Sequence, residues 1–256
     1  MKKNIKITTE NIKVKREKIS SLEFFISKKI GRAIFDYNML SDNDRILVAV
    51  SGGKDSLTLL RILHQRQSFV PIKYKLLAVH IVSDFHCQGC ANSKNLEKFF
   101  KENDIDYIIK KIEILKNSKK KIDCFWCSWN RRKALFDLAK EHSCKKIAFG
   151  HHKDDIAQTM LLNLFFNGEI STMPAKLSMF NGEFHIIRPL AYVEEKDIAR
   201  FAKEINLPIN ACRCPYGADS SRNLMRNIIK EVEEINPKAK TNIIKSLERI
   251  KEGYLL

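Results

Sequence analysis

The sequence predicts a doubly wound α/β fold, in which a mostly parallel sheet is preceded by a helix and followed by C-terminal helices. Two observations carry this prediction. Short apolar runs typical of buried strands alternate with segments whose apolar residues recur at helical spacing. The intervals between the runs are long enough for helical crossovers, which return the chain to the sheet as parallel strands. Ligands of such sheets bind at the carboxyl ends of the strands, so functional residues are expected there.

The elements follow one another regularly along the chain. Apolar residues at helical spacing from Leu22 to Tyr37 predict the first helix. Five apolar runs predict strands at residues 45–50, 75–82, 106–114, 145–150 and 184–190. Two helices are predicted after Ser221, and further helical patterns lie at residues 57–63, 92–103, 128–142, 154–166 and 194–205. We therefore expect an N-terminal extension with a helix (1–40), a central domain (41–220) and C-terminal helices (221–256).

The composition is that of a folded chain with a strong positive charge. Of the 256 residues, 44% are hydrophobic and 30% are charged, which is ordinary for a globular protein. Lysine and arginine exceed aspartate and glutamate by 46 to 30, and the net charge of +16 favours a polyanionic partner such as nucleic acid. No apolar run approaches the length of a membrane span, and the basic N-terminus has no apolar secretory segment. We expect a cytoplasmic protein without a membrane partner.

The first predicted strand ends in a loop of unusual composition. Its sequence, SGGKDS at residues 51–56, leads directly into an apolar helix. The two glycines allow the backbone to approach a ligand closely, and their amides form an anion site together with the start of the helix. The lysine adds charge and the two serines add hydroxyl donors. The loop is too short to be the phosphate-binding loop of kinases and GTPases, although it predicts the same kind of ligand.

A second polar motif follows the fourth predicted strand. Its sequence, GHHKDDIAQT at residues 150–159, opens the next helix at the same edge of the sheet. Asp154 and Asp155 offer the carboxylate oxygens that Mg²⁺ prefers, and a nucleotide carries such an ion to its site. A helix cap with solvated charges would explain either aspartate alone, but not the whole motif at this place.

Six of the seven cysteines form close pairs. A pair such as CFWC can hold a metal, cycle as a disulfide or fill space, and the absence of a secretory segment disfavours a structural disulfide. The spacings indicate metal or sulfur chemistry in a reducing cytosol, with the candidates Cys87, Cys90, Cys124, Cys127, Cys212 and Cys214. The seventh, Cys144, precedes an apolar strand and is expected to be an inert buried thiol.

Taken together, these stretches resemble the tRNA 2-thiocytidine synthetase (TtcA) family of PP-loop ATP pyrophosphatases. The loop SGGKDS resembles the PP-loop signature, and the longer motifs are more specific. The likeness runs from about Ile30 to Asn236, through IGRAIFDYNML, SGGKDSLTLL, CFWCSWNRRKAL, GHHKDDIAQTMLLNLFFNGEISTMPAKL, IIRPLAYVEEKDIARFA and CPYGADSSRN. It implies an adenine nucleotide alpha hydrolase-like fold.

The resemblance implies an ATP-dependent tRNA sulfurtransferase. In the family, the C2 carbonyl oxygen of the cytidine at tRNA position 32 attacks the α-phosphate of ATP, and sulfur then displaces AMP to give 2-thiocytidine. The glycine loop stabilises the pyrophosphate, and Mg²⁺ offsets its charge. Carried onto this sequence, the catalytic residues are Lys54, Asp55, Asp154 and Asp155. The ATP-binding residues are Ser51, Gly52, Gly53, Lys54, Asp55, Ser56 and Gly150.

The resemblance also implies a [4Fe–4S] cluster held by Cys124, Cys127 and Cys214. Three thiolates bind three irons and leave the fourth iron free to hold sulfur. The C-x-C spacing of Cys212 and Cys214 differs from the usual family pattern, which makes Cys212 an alternative third ligand. A zinc site built from all four of these cysteines is the alternative metal centre.

Two further thiols have no counterpart that the family requires. Cys87 and Cys90 follow the second predicted strand, on the same edge as the ATP loop. They relay persulfide sulfur, bind a separate metal, form a redox pair or have no role. The resemblance implies a cysteine desulfurase or a sulfide source as the partner that supplies sulfur. A homodimer is one option for the oligomeric state.

The implied nucleic-acid partner is tRNA. Arg131 and Arg132, on the helix that carries CFWC, and Arg188 are the candidates for contacts with its phosphates. Trp126 and Trp129 either pack around the metal centre or stack a flipped base. Two rivals stand beside the cytidine thiolase: a tRNA uridine 2-thiolase with the same machinery, and a zinc-containing RNA-binding protein without enzymatic activity.

Overall fold

The structure is a computed structural model of the chain, and it describes residues 19–84, 93–114, 124–209 and 221–254. The described part contains six strands: β1 (Asp44–Ala49), β2 (Tyr74–Ser83), β3 (Tyr107–Ile112), β4 (Lys146–Ala148), β5 (Lys176–Met179) and β6 (Phe184–Ile187). Its α-helices are α1 (Ser21–Asp36), α2 (Lys54–Arg66), α3 (Lys94–Glu102), α4 (Cys124–Glu141), α5 (Lys153–Leu162), α6 (Glu195–Glu204), α7 (Ser221–Ile235) and α8 (Ala239–Ser246).

The strands form one sheet in the order β3-β2-β1-β4-β6-β5. All neighbouring pairs are parallel except β5 and β6, which are antiparallel. This topology confirms the mostly parallel, doubly wound fold. The chain winds outward from β1 through β2 to β3, and then returns to the other side of β1 with β4. The carboxyl ends of β1 and β4 therefore flank the point where the strand order reverses, which is where such sheets bind ligands.

Helices cover both faces of the sheet and enclose two apolar clusters. Alternate residues of β1 serve the two clusters, because successive side chains of a strand point to opposite faces. Ile46 and Val48 join the larger cluster, and Leu47 joins the smaller one. The larger cluster packs α1, α2, α3 and α6 on one face through residues such as Ile30, Leu60, Phe100 and Phe201. The smaller cluster packs α4 on the other face through Leu135, Leu138 and Ala139.

The N-terminal helix α1 is formed as its periodicity predicts. The hydroxyl oxygen of Ser20 accepts a hydrogen bond from the amide of Glu23 at 3.0 Å and caps the first turn. One face is buried in the larger cluster, through Ile26, Ile30, Ala33 and Ile34. None of the described helices has the length and apolar character needed to cross a bilayer.

Two elements differ from the sequence prediction. Strand β5 was not predicted, and it lies at the edge of the sheet, paired only with β6. Helix α4 begins at Cys124 rather than at residue 128. The earlier start places the whole CFWC pair on the first turn of a helix, whose N-terminus lies at the carboxyl edge of the sheet because α4 runs back to the start of β4.

Candidate active site

The SGGKDS loop turns from β1 into α2 and is closed by its own side chains. Gly52 has a φ of +88°, a conformation that favours glycine. The hydroxyl of Ser56 donates to the carbonyl oxygen of Gly53 at 3.0 Å and accepts from the amide of Ser51 at 3.2 Å. Gly53 caps α2 and brings no side chain that could occupy the first amides of the helix. Those amides are therefore available to an anionic ligand.

Gly150 brings the second motif against this loop. A Cβ placed on Gly150 would lie 2.9 Å from the amide nitrogen of Ser56 and 3.0 Å from the carbonyl carbon of Asp55. The first distance is shorter than real Cβ contacts and the second is at the tight limit of them, and the atoms concerned belong to the backbone. Glycine is therefore the residue that allows the two loops to touch without a shift of either.

A cleft of about 360 Å³ opens between the carboxyl ends of β1 and β4. Its size falls within the range of small-molecule sites. Three segments supply most of its walls: the end of β1 with its loop, the residues after β4, and one face of α4. The polar and charged residues that line it are Ser51, Asp55, Ser56, Ser128, Arg131, Arg132, His151 and Asp155.

Lys54 is held by two carboxylates. Its Nζ lies 2.9 Å from Glu195 Oε1 and 3.1 Å from Asp55 Oδ1. Burial acts to lower the pKa of Lys54, but the hydrogen bond to Glu195 and the charge of Asp55 outweigh it, so the pKa is raised above its usual value. Burial acts to raise the pKa of Glu195, and the contact with Lys54 more than reverses this effect. Both groups therefore stay charged at neutral pH.

The two aspartates of the second motif have different surroundings. Asp155 lines the cleft, and its Oδ2 accepts the amide of His152 at 3.1 Å. Asp154 is buried and is not among the described residues that line the cleft. Its Oδ1 accepts from Lys240 Nζ at 2.7 Å, and its Oδ2 accepts from the amide of Glu195 at 2.8 Å. Asp154 thus ties α5 to α6 and α8, whereas Asp155 faces the cleft.

His151 lies in the cleft wall between Arg188 and Phe149. The Nε of Arg188 donates to His151 Nδ1 at 3.3 Å, and the guanidinium also bonds the carbonyl oxygen of Pro174. The His151 ring stacks on Phe149 with ring centroids 5.7 Å apart. Burial and the charge of Arg188 lower the pKa of His151 to about 4. The imidazole is therefore neutral at physiological pH, and because Nδ1 accepts a hydrogen bond, its proton lies on Nε2.

The three arginines predicted to contact RNA lie in two different environments. Arg131 and Arg132 line the cleft from α4, and Arg131 also donates to Ser83 Oγ at 3.2 Å, at the end of β2. Arg188 is only 7% exposed and lies behind His151. Burial and the nearby Arg132 lower the pKa of Arg188 to about 10, so it remains a cation.

The described cysteines show one thiol near the cleft and one in the core. Cys127 is half-buried on the first turn of α4, next to the cleft residue Ser128. Cys144 is buried in the smaller cluster, as expected, and burial raises the pKa of its thiol. Among the described side chains, no group of three or more His, Cys, Asp or Glu is arranged to hold a metal ion. Outside the described part lie the side chain of Cys124 and all of Cys87, Cys90, Cys212 and Cys214.

Comparison with known proteins identifies the family. A model of the PP-loop domain matches residues 23–233. The tRNA-cytidine(32) 2-sulfurtransferase of Geobacter metallireducens is 37% identical over 238 residues, which cover 90% of this chain and 91% of the relative. The chain belongs to this PP-loop family. The Ralstonia pickettii protein of the same name is 38% identical over 243 residues, covering 91% of this chain and 75% of the relative. The resemblance stated from the sequence is thereby confirmed.

A solved structure shows the same PP-loop fold. The U34-tRNA thiolase NcsA from Methanococcus maripaludis, described with its [4Fe-4S] cluster, superposes with a TM-score of 0.73. The alignment covers 89% of this chain and 78% of that chain, at 24% sequence identity. At this identity the likeness supports the fold.

The sequence analysis did not predict the contacts of two residues at this site. Glu195 contacts Lys54 although the two residues are 141 positions apart. Arg188 was expected at the RNA surface, and the structure places it against His151, 37 positions away. The stretch RPLAYVEE contains both residues, and no local pattern in it distinguishes a residue that supports the cleft from one that is solvated.

Proposed function

We propose that this protein is an ATP-dependent tRNA sulfurtransferase that converts the cytidine at position 32 of tRNA to 2-thiocytidine. One observation carries the proposal. Helix α4, which begins with the CFWC pair, forms a wall of the same cleft that is bounded by the SGGKDS loop. In this proposal, the loop that binds ATP and the helix that bears the cysteine pair therefore border one cleft at the switch point of the sheet. The names of the relatives supply the substrate.

The SGGKDS loop and the start of α2 bind the phosphates of ATP in this proposal. The C2 carbonyl oxygen of cytidine attacks the α-phosphorus, and the bond to pyrophosphate breaks. The loop amides and the ammonium of Lys54 stabilise the charge that the leaving pyrophosphate carries. Glu195 acts as a positioning residue, because its contact with Lys54 fixes that ammonium beside the loop.

His151 is proposed to donate a hydrogen bond from Nε2 to an oxygen of the α-phosphoryl group. Its Nδ1 accepts from Arg188, and no described residue bonds Nε2. A neutral imidazole is suited to this role, because it donates without taking up a proton at neutral pH. Arg188 is thus a positioning residue that selects the tautomer, rather than a contact to RNA phosphate.

Asp155 is the carboxylate we propose for Mg²⁺ carried by the nucleotide. It lines the cleft beside the ATP loop, and carboxylate oxygen is the donor type that Mg²⁺ binds. Its Oδ1 lies 3.8 Å from a guanidinium nitrogen of Arg222, beyond hydrogen-bond distance. Asp154, by contrast, is buried outside the cleft, and both of its oxygens are engaged by Lys240 and the Glu195 amide. We therefore assign Asp154 a structural role, in which it links α5 to α6 and α8.

The cysteines are proposed to hold a [4Fe–4S] cluster through Cys124, Cys127 and Cys214. The fit rests on α4: positions three apart in a helix lie on one side, and Cys127 adjoins the cleft residue Ser128. When bound, the cluster supplies the sulfur that replaces the oxygen at C2, with AMP as the leaving group. The cluster would in turn receive that sulfur from a cysteine desulfurase or from free sulfide. The four-cysteine zinc site that includes Cys212 stays the alternative centre.

The test is in vitro thiolation by protein purified without oxygen. The protein is incubated with unmodified tRNA, ATP and sulfide, and the nucleosides are separated by mass spectrometry. We expect ATP-dependent 2-thiocytidine, its loss in Lys54→Met and Cys127→Ala, and its retention in the control Cys144→Ala, which removes a thiol in the core. Formation of a thiouridine instead would contradict the cytidine assignment and support the alternative, a tRNA uridine 2-thiolase. A colourless protein with stoichiometric zinc and no thiolation would favour the RNA-binding rival.

A further inference from the structure

Helix α4 presents two different faces at the carboxyl edge of the sheet. One face lines the cleft through Ser128, Arg131, Arg132 and Leu135. The opposite face carries Trp126 and Trp129, whose rings stack on each other with centroids 5.3 Å apart and planes 10° from parallel. Trp126 is 38% exposed and Trp129 is 45% exposed. Two such large aromatic side chains on neighbouring turns form an exposed apolar patch beside the site, and such patches mark interaction surfaces.

Positive charge accompanies the two indoles. The Nζ of Lys133 lies 5.8 Å from the centre of the Trp129 ring, a cation–π contact. Arg131 and Arg132 lie on the other, cleft-lining face of the same helix, and the whole chain has a net charge of +16. Proteins bind unpaired nucleotides through this combination, because every base offers a flat face for stacking and every nucleotide carries a phosphate.

We infer that Trp126 and Trp129 form a stacking platform for unpaired nucleotides of the RNA that flank the nucleotide in the cleft. A tRNA loop that places one base in the cleft leaves its neighbours at the rim. The thickness of one helix, about 10 Å, separates the cleft wall from the indoles. The inference rests on the proposed function for the identity of the RNA, and it adds the place where the neighbouring bases bind.

The first arm of the test measures tRNA affinity by filter binding for Trp126→Ala, Trp129→Ala and the double variant. Alanine favours a helix more than tryptophan does, so α4 remains formed, which circular dichroism checks. Each single change is expected to weaken tRNA binding roughly 5- to 150-fold, and Trp129→Phe is expected to stay near the wild type. The matched control is Phe35→Ala, which removes an aromatic ring that is 81% exposed on α1. The tRNA affinity of this variant should equal that of the wild type.

The second arm uses fluorescence. The chain contains two tryptophans, so its tryptophan emission reports on this pair alone. Binding of tRNA is expected to quench or shift the emission. Wild-type affinity in the double variant, or unchanged emission in the bound complex, overturns the platform. A change of emission with a cysteine desulfurase but not with tRNA overturns it in favour of a protein-docking surface.

The two proposals fail in different ways. If the wild-type protein thiolates tRNA while the double variant binds tRNA equally well, the platform is wrong and the proposed function stands. If the wild-type protein neither binds nor modifies tRNA, both the proposed function and the stacking platform are wrong.

Discussion

Replacing Gly150 by alanine tests the close contact between the two loops of the proposed ATP site. The added methyl would lie 2.9 Å from the amide nitrogen of Ser56, against 3.4 Å for an ordinary contact, a shortfall of 0.5 Å. The obstacle is backbone on both sides, so no side chain can rotate away. Overpacking of this kind costs about 1–3 kcal/mol. For a chain of this size, that corresponds to a fall in melting temperature of roughly 2–12 °C.

The same shift displaces the amides of the ATP loop, so catalysis should suffer beyond the loss of stability. We expect the kcat/KM for ATP, measured as tRNA-dependent pyrophosphate release below the melting temperature, to fall at least about tenfold, since misplacement by a fraction of an ångström weakens every loop hydrogen bond at once. Gly253→Ala is the matched control, because a Cβ there meets no atom within 4 Å.

The reasoning is refuted if Gly150→Ala has the melting temperature and the kcat/KM of Gly253→Ala. A fall in melting temperature with unchanged kcat/KM would show that the contact supports the fold without fixing the loop.

Three further predictions concern the cleft. Glu195→Ala should raise the KM for ATP, measured by pyrophosphate release, roughly fivefold, because it removes a partly exposed ion pair with Lys54 worth about 1 kcal/mol. Glu195→Gln should raise this KM less. Asp154→Asn should lower the melting temperature without changing the Mg²⁺ concentration needed for half-maximal rate. Asp155→Asn should raise that Mg²⁺ concentration. The reverse pattern would contradict the assignment of Asp155 to Mg²⁺ and of Asp154 to stability. Because the pKa of His151 is lowered to about 4 from an unfolded value near 6.5, its contribution to stability is complete above about pH 6.5 and is lost as the pH falls toward 4. His151→Gln should remove that acid loss in thermal melts, and the wild-type rate should show no inflection near pH 6.5.

The sequence predicted the parts of the fold that local chemistry determines. Buried parallel strands read as short apolar runs, so β1 (Asp44–Ala49) and β2 (Tyr74–Ser83) were found within a residue or two. Strand β5 (Lys176–Met179) gave no such run, because an edge strand buries little of its surface and follows the irregular chain before it. The start of α4 was missed because Phe125, Trp126 and Trp129 are apolar yet exposed, which breaks the periodicity on which the prediction depends.

For the candidate site, the sequence predicted which loops meet but not which side chains within them face the ligand. Adjacent aspartates look equivalent in a motif, and only the position of Lys240 makes Asp154 a buried anchor. Likewise, an arginine before a proline reads as a surface cation until the fold brings His151 to it. Such distinctions depend on contacts between residues far apart in sequence, and local sequence patterns contain no information about those contacts.

The bond between Lys240 and Asp154 has a consequence for biosynthesis. The loops proposed to bind ATP are translated before residue 240, so the buried Asp154 gains its counter-ion only when the segment around Lys240 has been made. Domains generally fold as units during synthesis. A nascent chain therefore carries the two nucleotide motifs before it contains Lys240, the counter-ion of the buried Asp154.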